Sequence, residues 1–259
     1  MRILTCIKRV PSPGAKISLT DDGTAVDTRH LGFTISPHEE CAVEEAVQLA
    51  ATHGGSSTVL TLGPPEADEQ LRNAIAMGVD HAVLLPIEPD ADGVADWEPR
   101  ATARAIAAAI TALESEEGGF DLLLFGNESA DAGNYQVGVR VAHALGRPVL
   151  DGIKDVEVAD GAVRVRRSAA DGFTVHQLPL PAVLAVREGI NLPRYPAMRG
   201  RLLAKKATIR ELNPTPMPGG LQRLRLRTPQ VERTETVILG SGADAASAAA
   251  DVLEEVGLL

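Results

Sequence analysis

The chain has 259 residues, 44% of them hydrophobic, with a mean hydropathy of +0.01, which fits a globular protein of one large domain or one and a half. A formal net charge of −10 argues against nucleic acid as the main partner, and no apolar run approaches the ~20 residues of a membrane span, so no membrane insertion is expected. Two cysteines, Cys6 and Cys41, are too few for a disulfide framework, and MRILTCIKRV enters a strand-like pattern rather than a signal peptide's apolar region, so a cytoplasmic setting is expected.

In chain order, residues 2–10 read as a first strand and residues 16–28 as a small inserted hairpin around Asp22-Gly23. Ser36-Pro37-His38-Glu39 is a capping box with proline at the first helical position, and the helix after it carries Val43, Ala46, Val47 and Ala50 on one face. Strand 57–63, helix 66–77 closed by Gly78, strand 81–87 and an alanine-rich helix from about Trp97 to Leu113 follow. Strand 121–126 then leads into a helix from Tyr135 to Leu145 that ends at Gly146. Strand–helix alternation with continuously apolar strands predicts an α/β fold, an open and mostly parallel sheet flanked by helices. After Leu150 the pattern changes to a hairpin at 155–167 around Asp160-Gly161, followed by strands FTVHQLPL and PAVLAV.

The next stretch, REGINLPRYPAMRGRLLAKK, is broken by Pro193 and Pro196. From Arg187 to Arg210 it carries seven basic residues against the single acid Glu188. No acid–base or nucleophilic cluster accompanies it, so a rigid basic loop with Met198 at its centre suits docking better than catalysis. A domain over 1–210 is therefore expected, containing this segment at 192–206. Residues 211–259 read as an arm. NPTPMPGG is extended and cannot build a core, and only a short helix from about Ala243 to Val256 follows it, so the arm must lie on this protein's body or on a partner.

The strongest local site signal is DLLLFGNESADAGNYQVGVRVAHALG: strand, loop, helix. In open α/β sheets a ligand sits at the carboxyl ends of strands, under the next helix's N-terminus. Gly126, Gly133 and Gly138 would let a backbone approach it, and Asp131, Asn134 and Gln136 offer hydrogen-bonding groups. GSGADA at 240–245 matches a dinucleotide fingerprint, but no second strand and no acid ~20 residues on follow it. His38-Glu39-Glu40 lacks the second histidine of a zinc helix, and no nucleophile elbow or P-loop is present, so neither a catalytic centre nor a metal site is expected.

Taken together, GINLPRY with AKK, IKRVPSPGAKI, SPHEECAVEEAVQL, LRNAIAMGVDHAV and the Asp131, Gln136, Gly138 spacing resemble the β subunit of electron transfer flavoproteins, over essentially the whole chain. The resemblance implies a Rossmann-like, adenine-nucleotide-binding fold and a heterodimer with an α subunit that shares an FAD. It implies an electron carrier rather than an enzyme, taking electrons from flavin dehydrogenases and passing them onward. It implies a structural AMP, or in the electron-bifurcating branch a second FAD, held by Cys6, Ser36, His38, Glu39, Leu62, Gly126, Asn127, Asp131, Asn134, Gln136, Val137 and Gly138. Asn127, Glu128 and Val137 depart from the common AMP-binding pattern, and valine at the last position also occurs in the bifurcating branch. His38 falls where the family often has an aromatic residue approaching the flavin. The recognition loop would present Arg194, Tyr195, Met198, Arg199, Arg201, Lys205 and Lys206 to the dehydrogenase, and the arm would pack on the α subunit. A stand-alone adenine-nucleotide-binding regulatory module is the rival reading, but it leaves the basic loop and the arm unexplained.

Overall fold

A computed structural model describes residues 1–88, 97–216, 220–221, 223–229 and 236–259. Strand β1 (Arg2–Ile7) is followed by the short pair β2 (Val10–Pro11) and β3 (Phe33–Thr34), then by α1 (Pro37–His53), β4 (Ser56–Gly63), α2 (Asp68–Met77), β5 (His81–Pro86), α3 (Pro99–Glu117), β6 (Leu122–Gly126) and α4 (Val137–Leu145). The second half supplies β7 (Val149–Ala159), β8 (Ala162–Ala169), β9 (Gly172–Pro179), β10 (Ala182–Val186), α5 (Met198–Lys206), β11 (Arg210–Glu211) and α6 (Ala246–Glu255).

The main sheet runs β11-β5-β4-β1-β6-β10-β7-β8-β9. It is parallel from β11 to β7, and β8 and β9 extend it antiparallel. Alternation along β1 shows why both faces need cover. Leu4 and Cys6 pack with Ile106 and Ile110 of α3 and Val141 of α4, whereas Ile3 and Ile7 face the opposite layer, which includes Ala42, Val43 and Ala46 of α1 and Leu71 of α2. Each buried aliphatic side chain in these layers contributes roughly 1.5–3 kcal/mol of transfer free energy.

Local signals set most helix ends. The Ser36 hydroxyl accepts the Glu39 N–H and the Glu39 carboxylate accepts the Ser36 N–H, closing the box over α1. Gly78 and Gly146 end α2 and α4 in left-handed conformations. Asp160 and Gly161, both at positive φ, make the tight turn between β7 and β8.

Several expectations give way. The first strand leaves the sheet after Ile7, because Val10–Pro11 pairs with Phe33–Thr34 in a separate ribbon. The hairpin expected at 16–28 is reduced to one bridge between Leu19 and Val26. The helix expected from Trp97 begins at Pro99, with the Glu98 side chain as its cap. The helix expected from Tyr135 begins at Val137, since Tyr135 adopts a φ of 54° that no α-helix accepts. The basic segment is not wholly a loop, for its second half is α5. After Pro196 the residues Met, Arg, Leu, Leu, Ala and Lys are strong helix formers with no further proline.

The chain divides into two compact units, Met1–Leu226 and Arg227–Leu259. The first passes the boundary expected at 210. Arg210 and Glu211 join the sheet edge beside β5, and Leu212 donates its N–H to Leu84 and packs on the α3 layer. The second unit contains α6, and none of its described residues is buried. Pro218, expected to stiffen the arm, lies outside the described residues.

Candidate functional site

The carboxyl ends of β1, β4 and β6 open into a cleft of about 550 Å³, a size typical of small-ligand sites. Cys6, Glu39, Leu62, Gly126, Asn127, Asn134, Gln136, Val137 and Gly138 line it together. Ser36, His38 and Asp131 stand just behind it, each tied to a residue that does line it. The Ser36 hydroxyl donates to the Glu128 carbonyl at 3.2 Å, His38 Nε2 lies 3.2 Å from the Glu128 carboxylate, and Asp131 pairs with Lys8 at 2.8 Å.

The glycines serve the protein more than a ligand. A Cβ at Gly126 would sit 2.6 Å from Glu39 Cγ, and one at Gly138 would sit 3.1 Å from the Phe125 ring. Their smallness lets α1 and α4 close on β6, while both still line the cleft. Gly133, at a φ of 52° with open space around it, keeps only its turn role.

Charge in the cleft is largely committed. Burial pushes the Glu39 carboxyl up to about 8, even though its two oxygens accept the Lys8 and Ser36 N–H groups. Burial likewise raises the Cys6 thiol, so it remains protonated and inert. Asp131 is held low, where the Lys8 ammonium and local hydrogen bonds outweigh burial. Glu128 is engaged by His38, and the Asn127 side-chain oxygen accepts the Gly152 N–H, locking β6 to β7. The Glu188 N–H is met by His38 Nδ1 at 2.7 Å, so the ring proton sits on Nε2, toward Glu128. Gln136 turns its oxygen to Arg140.

One group fits an anionic ligand. Arg9 lines the cleft with its guanidinium 3.3 Å over the Phe33 ring, and its Nε is buried without a hydrogen-bond partner. A buried orphaned donor is costly unless an acceptor completes it, and the uncapped N-terminus of α4 lies at the same cleft. Lys8 and Arg9 fall within IKRVPSPGAKI, yet nothing in their local pattern marks them as lining residues. Leu221 and Arg223, from the segment taken as arm, also line the cleft.

The basic segment forms a second surface. Tyr195 and Met198 are exposed, Met198 to 75%, and Arg201 stacks on the Tyr195 ring at 5.1 Å. Arg199, Lys205 and Lys206 are exposed on α5. Arg194 differs, because its guanidinium grips the Glu44 carboxylate and anchors the segment instead of presenting a free charge. Arg72 closes the other end by donating to the Ala204 and Ala207 carbonyls at the C-terminus of α5. Gly200 lies so close to Ala76 that an added Cβ would meet its carbonyl.

The electron transfer flavoprotein domain family matches residues 24–217. The chain is 33% identical over 217 residues to the electron transfer flavoprotein subunit beta of Bacillus subtilis, spanning 82% of this chain and 79% of that protein. It is 35% identical over 212 residues to the subunit of the same name from Mycobacterium bovis (80% and 77%), and 35% identical over 210 residues to that of Syntrophomonas wolfei (81% and 78%).

Proposed function

The chain belongs to the electron transfer flavoprotein β-subunit family, and from that membership we propose that it pairs with an α subunit and carries electrons from flavin dehydrogenases to a downstream acceptor. The FAD shared with the α subunit supplies the redox chemistry when bound. This chain's own part is to shape that site, hold a second nucleotide and dock the electron donor.

The observation that carries the nucleotide assignment is the buried, unpartnered Arg9 Nε at a cleft whose acids are already occupied. With Asp131 on Lys8, Glu128 on His38 and Glu39 protonated up to about pH 8, a phosphate entering there escapes the repulsion that bare carboxylates would impose. AMP is the preferred occupant. The 126–137 loop would close over it, with its phosphate toward Arg9 and the first turn of α4. The exposed Met198 and Tyr195, among the basic side chains of α5, support the docking role, because an apolar tip ringed by charge gives brief and tolerant association.

Chromatography of the nucleotides released from denatured heterodimer tests the reading. AMP with one FAD per dimer supports it. Two FAD and no AMP reassigns the chain to the electron-bifurcating branch. Absence of any adenine nucleotide refutes the cleft assignment. A chain that binds nucleotide but never recruits a flavin-bearing partner on co-expression is a stand-alone module instead.

A further inference from the structure

A second cavity, of about 320 Å³, lies between α1, α2 and the turn from Pro193 to Pro196, at the low end of the size of small-ligand sites. Ile35, Met77 and the two prolines give it apolar sides. Two of its polar groups are acceptors that lack a full partner. Gln70 is 2% exposed. Its Nε2 reaches the Phe33 carbonyl only at 3.5 Å, and its Oε1 is buried without a hydrogen-bond partner. The half-buried Glu40 carboxylate meets no donor and no cation among the described residues. Burial, and then the charge of Glu188, push its carboxyl up. Arg194, the cation among the described lining residues, is already spent on Glu44. Buried acceptors in this state are costly until a donor reaches them.

We propose that this cavity is a socket for one lysine or arginine side chain of the docked dehydrogenase, its stem against the apolar sides and its charged head donating to Glu40 and Gln70. The inference rests on the docking reading above. Tyr195 lines the cavity and is itself exposed, three residues before the exposed Met198, so the cavity is continuous with the docking surface. A long cationic side chain suits it, because such residues pack their methylene stems on apolar surface while the charge finds its partner at the tip. The sign of the socket is opposite to that of its surroundings. The basic side chains of α5 attract an acidic partner from any direction, whereas an acceptor socket among them rewards only the pose that brings a cation to Glu40. Steering and register are thus set by different residues: α5 raises the rate of encounter, and Glu40 with Gln70 selects the orientation.

The test follows reduction of the heterodimer with the α subunit by limiting cognate dehydrogenase, over a range of heterodimer concentrations. Glu40→Gln is expected to raise the half-saturating concentration about tenfold, the change that follows loss of one charge-assisted hydrogen bond, with the saturating rate and FAD content unchanged. Glu40→Lys should raise it further. The direction is diagnostic, since a surface that only attracts an acidic partner would dock better once an acid on it is neutralised or reversed. Gln70→Met removes the orphaned acceptor at similar length, so it should weaken docking without lowering the heterodimer's melting temperature, and it decides the matter if the Glu40 variants fail to assemble. Half-saturation at or below the wild-type concentration in Glu40→Gln overturns the proposal, as it does in Gln70→Met where that variant decides. Met198→Ala, measured alongside, separates the two readings. If it docks weakly while the socket variants match wild type, only the socket falls. If it and the socket variants all match wild type, the docking reading falls with it.

Discussion

Arg194 grips Glu44 with three hydrogen bonds. Its Nε and Nη2 reach the two carboxylate oxygens at 2.8 Å each, and its backbone N–H reaches Oε2 at 3.1 Å. The Glu44 side chain is 3% exposed and that of Arg194 45%. Burial alone would raise the Glu44 carboxyl, but the bonds from Arg194 and Gln48 outweigh it and hold the group below its usual value. The pair fastens the start of the basic segment to α1.

Arg194→Ala leaves a buried carboxylate without its partner and should destabilise the chain by about 2 kcal/mol. Glu44→Gln, which removes the charge but keeps one acceptor, should cost less. Urea denaturation of both variants checks the order, and equal losses would show that the uncompensated charge is not what the pair protects against.

Gly200 lets α5 lie against the C-terminal end of α2, where an added Cβ would fall 2.3 Å from the Ala76 carbonyl oxygen. Gly200→Ala should therefore displace α5. The expected result is slower reduction by the cognate dehydrogenase with FAD content unchanged. Unaltered stopped-flow traces would mean that the placement of α5 does not matter to docking.

Met198, the first residue of α5, is among the exposed apolar side chains of the segment. Met198→Ala should weaken dehydrogenase docking by ~2 kcal/mol, roughly thirtyfold, as truncated interface anchors commonly do. Raising ionic strength should slow the wild type as the charges of Arg199, Arg201, Lys205 and Lys206 are screened. Equal rates for mutant and wild type under limiting dehydrogenase would return the basic run to an ordinary solvated face.

Glu39 gives the fold a pH dependence with a definite sign. Desolvation raises its carboxyl to about 8 in the folded chain, against 4.5 for the free group. The folded state thus binds the extra proton between these values. The contribution is fully present below about pH 4.5 and is lost as pH rises through 8, at up to about 1.4 kcal/mol per pH unit. Subtracting the pH–stability curve of Glu39→Gln from that of the wild type isolates it, and a flat difference between pH 5 and 8 would refute the assignment.

The parts legible in the sequence are those encoded within a few residues. The Ser36–Glu39 box, the Asp160-Gly161 turn and the glycine stops after α2 and α4 appear where their residue types require them. Backbone geometry at these points depends on neighbours in the chain. The 126–138 loop was likewise visible as a strand-to-helix junction, and the structure gathers most of its expected lining residues around one cleft.

The sequence by itself thus determined a mostly parallel α/β sheet, a strand-end cleft and a basic segment, because period-two and helical apolar patterns and local charge are properties of contiguous residues. Only the tertiary structure decided what those charges do. Arg194 and Glu44 are 150 residues apart in the chain, and Lys8 and Asp131 are 123. No local pattern distinguishes an arginine that anchors a loop from one that greets a partner. The orphaned Arg9 Nε and the presence of Leu221 and Arg223 among the cleft's lining residues are of the same kind. Such pairings arise when packing brings distant segments within hydrogen-bonding distance, and burial then fixes the energetic value of each charge.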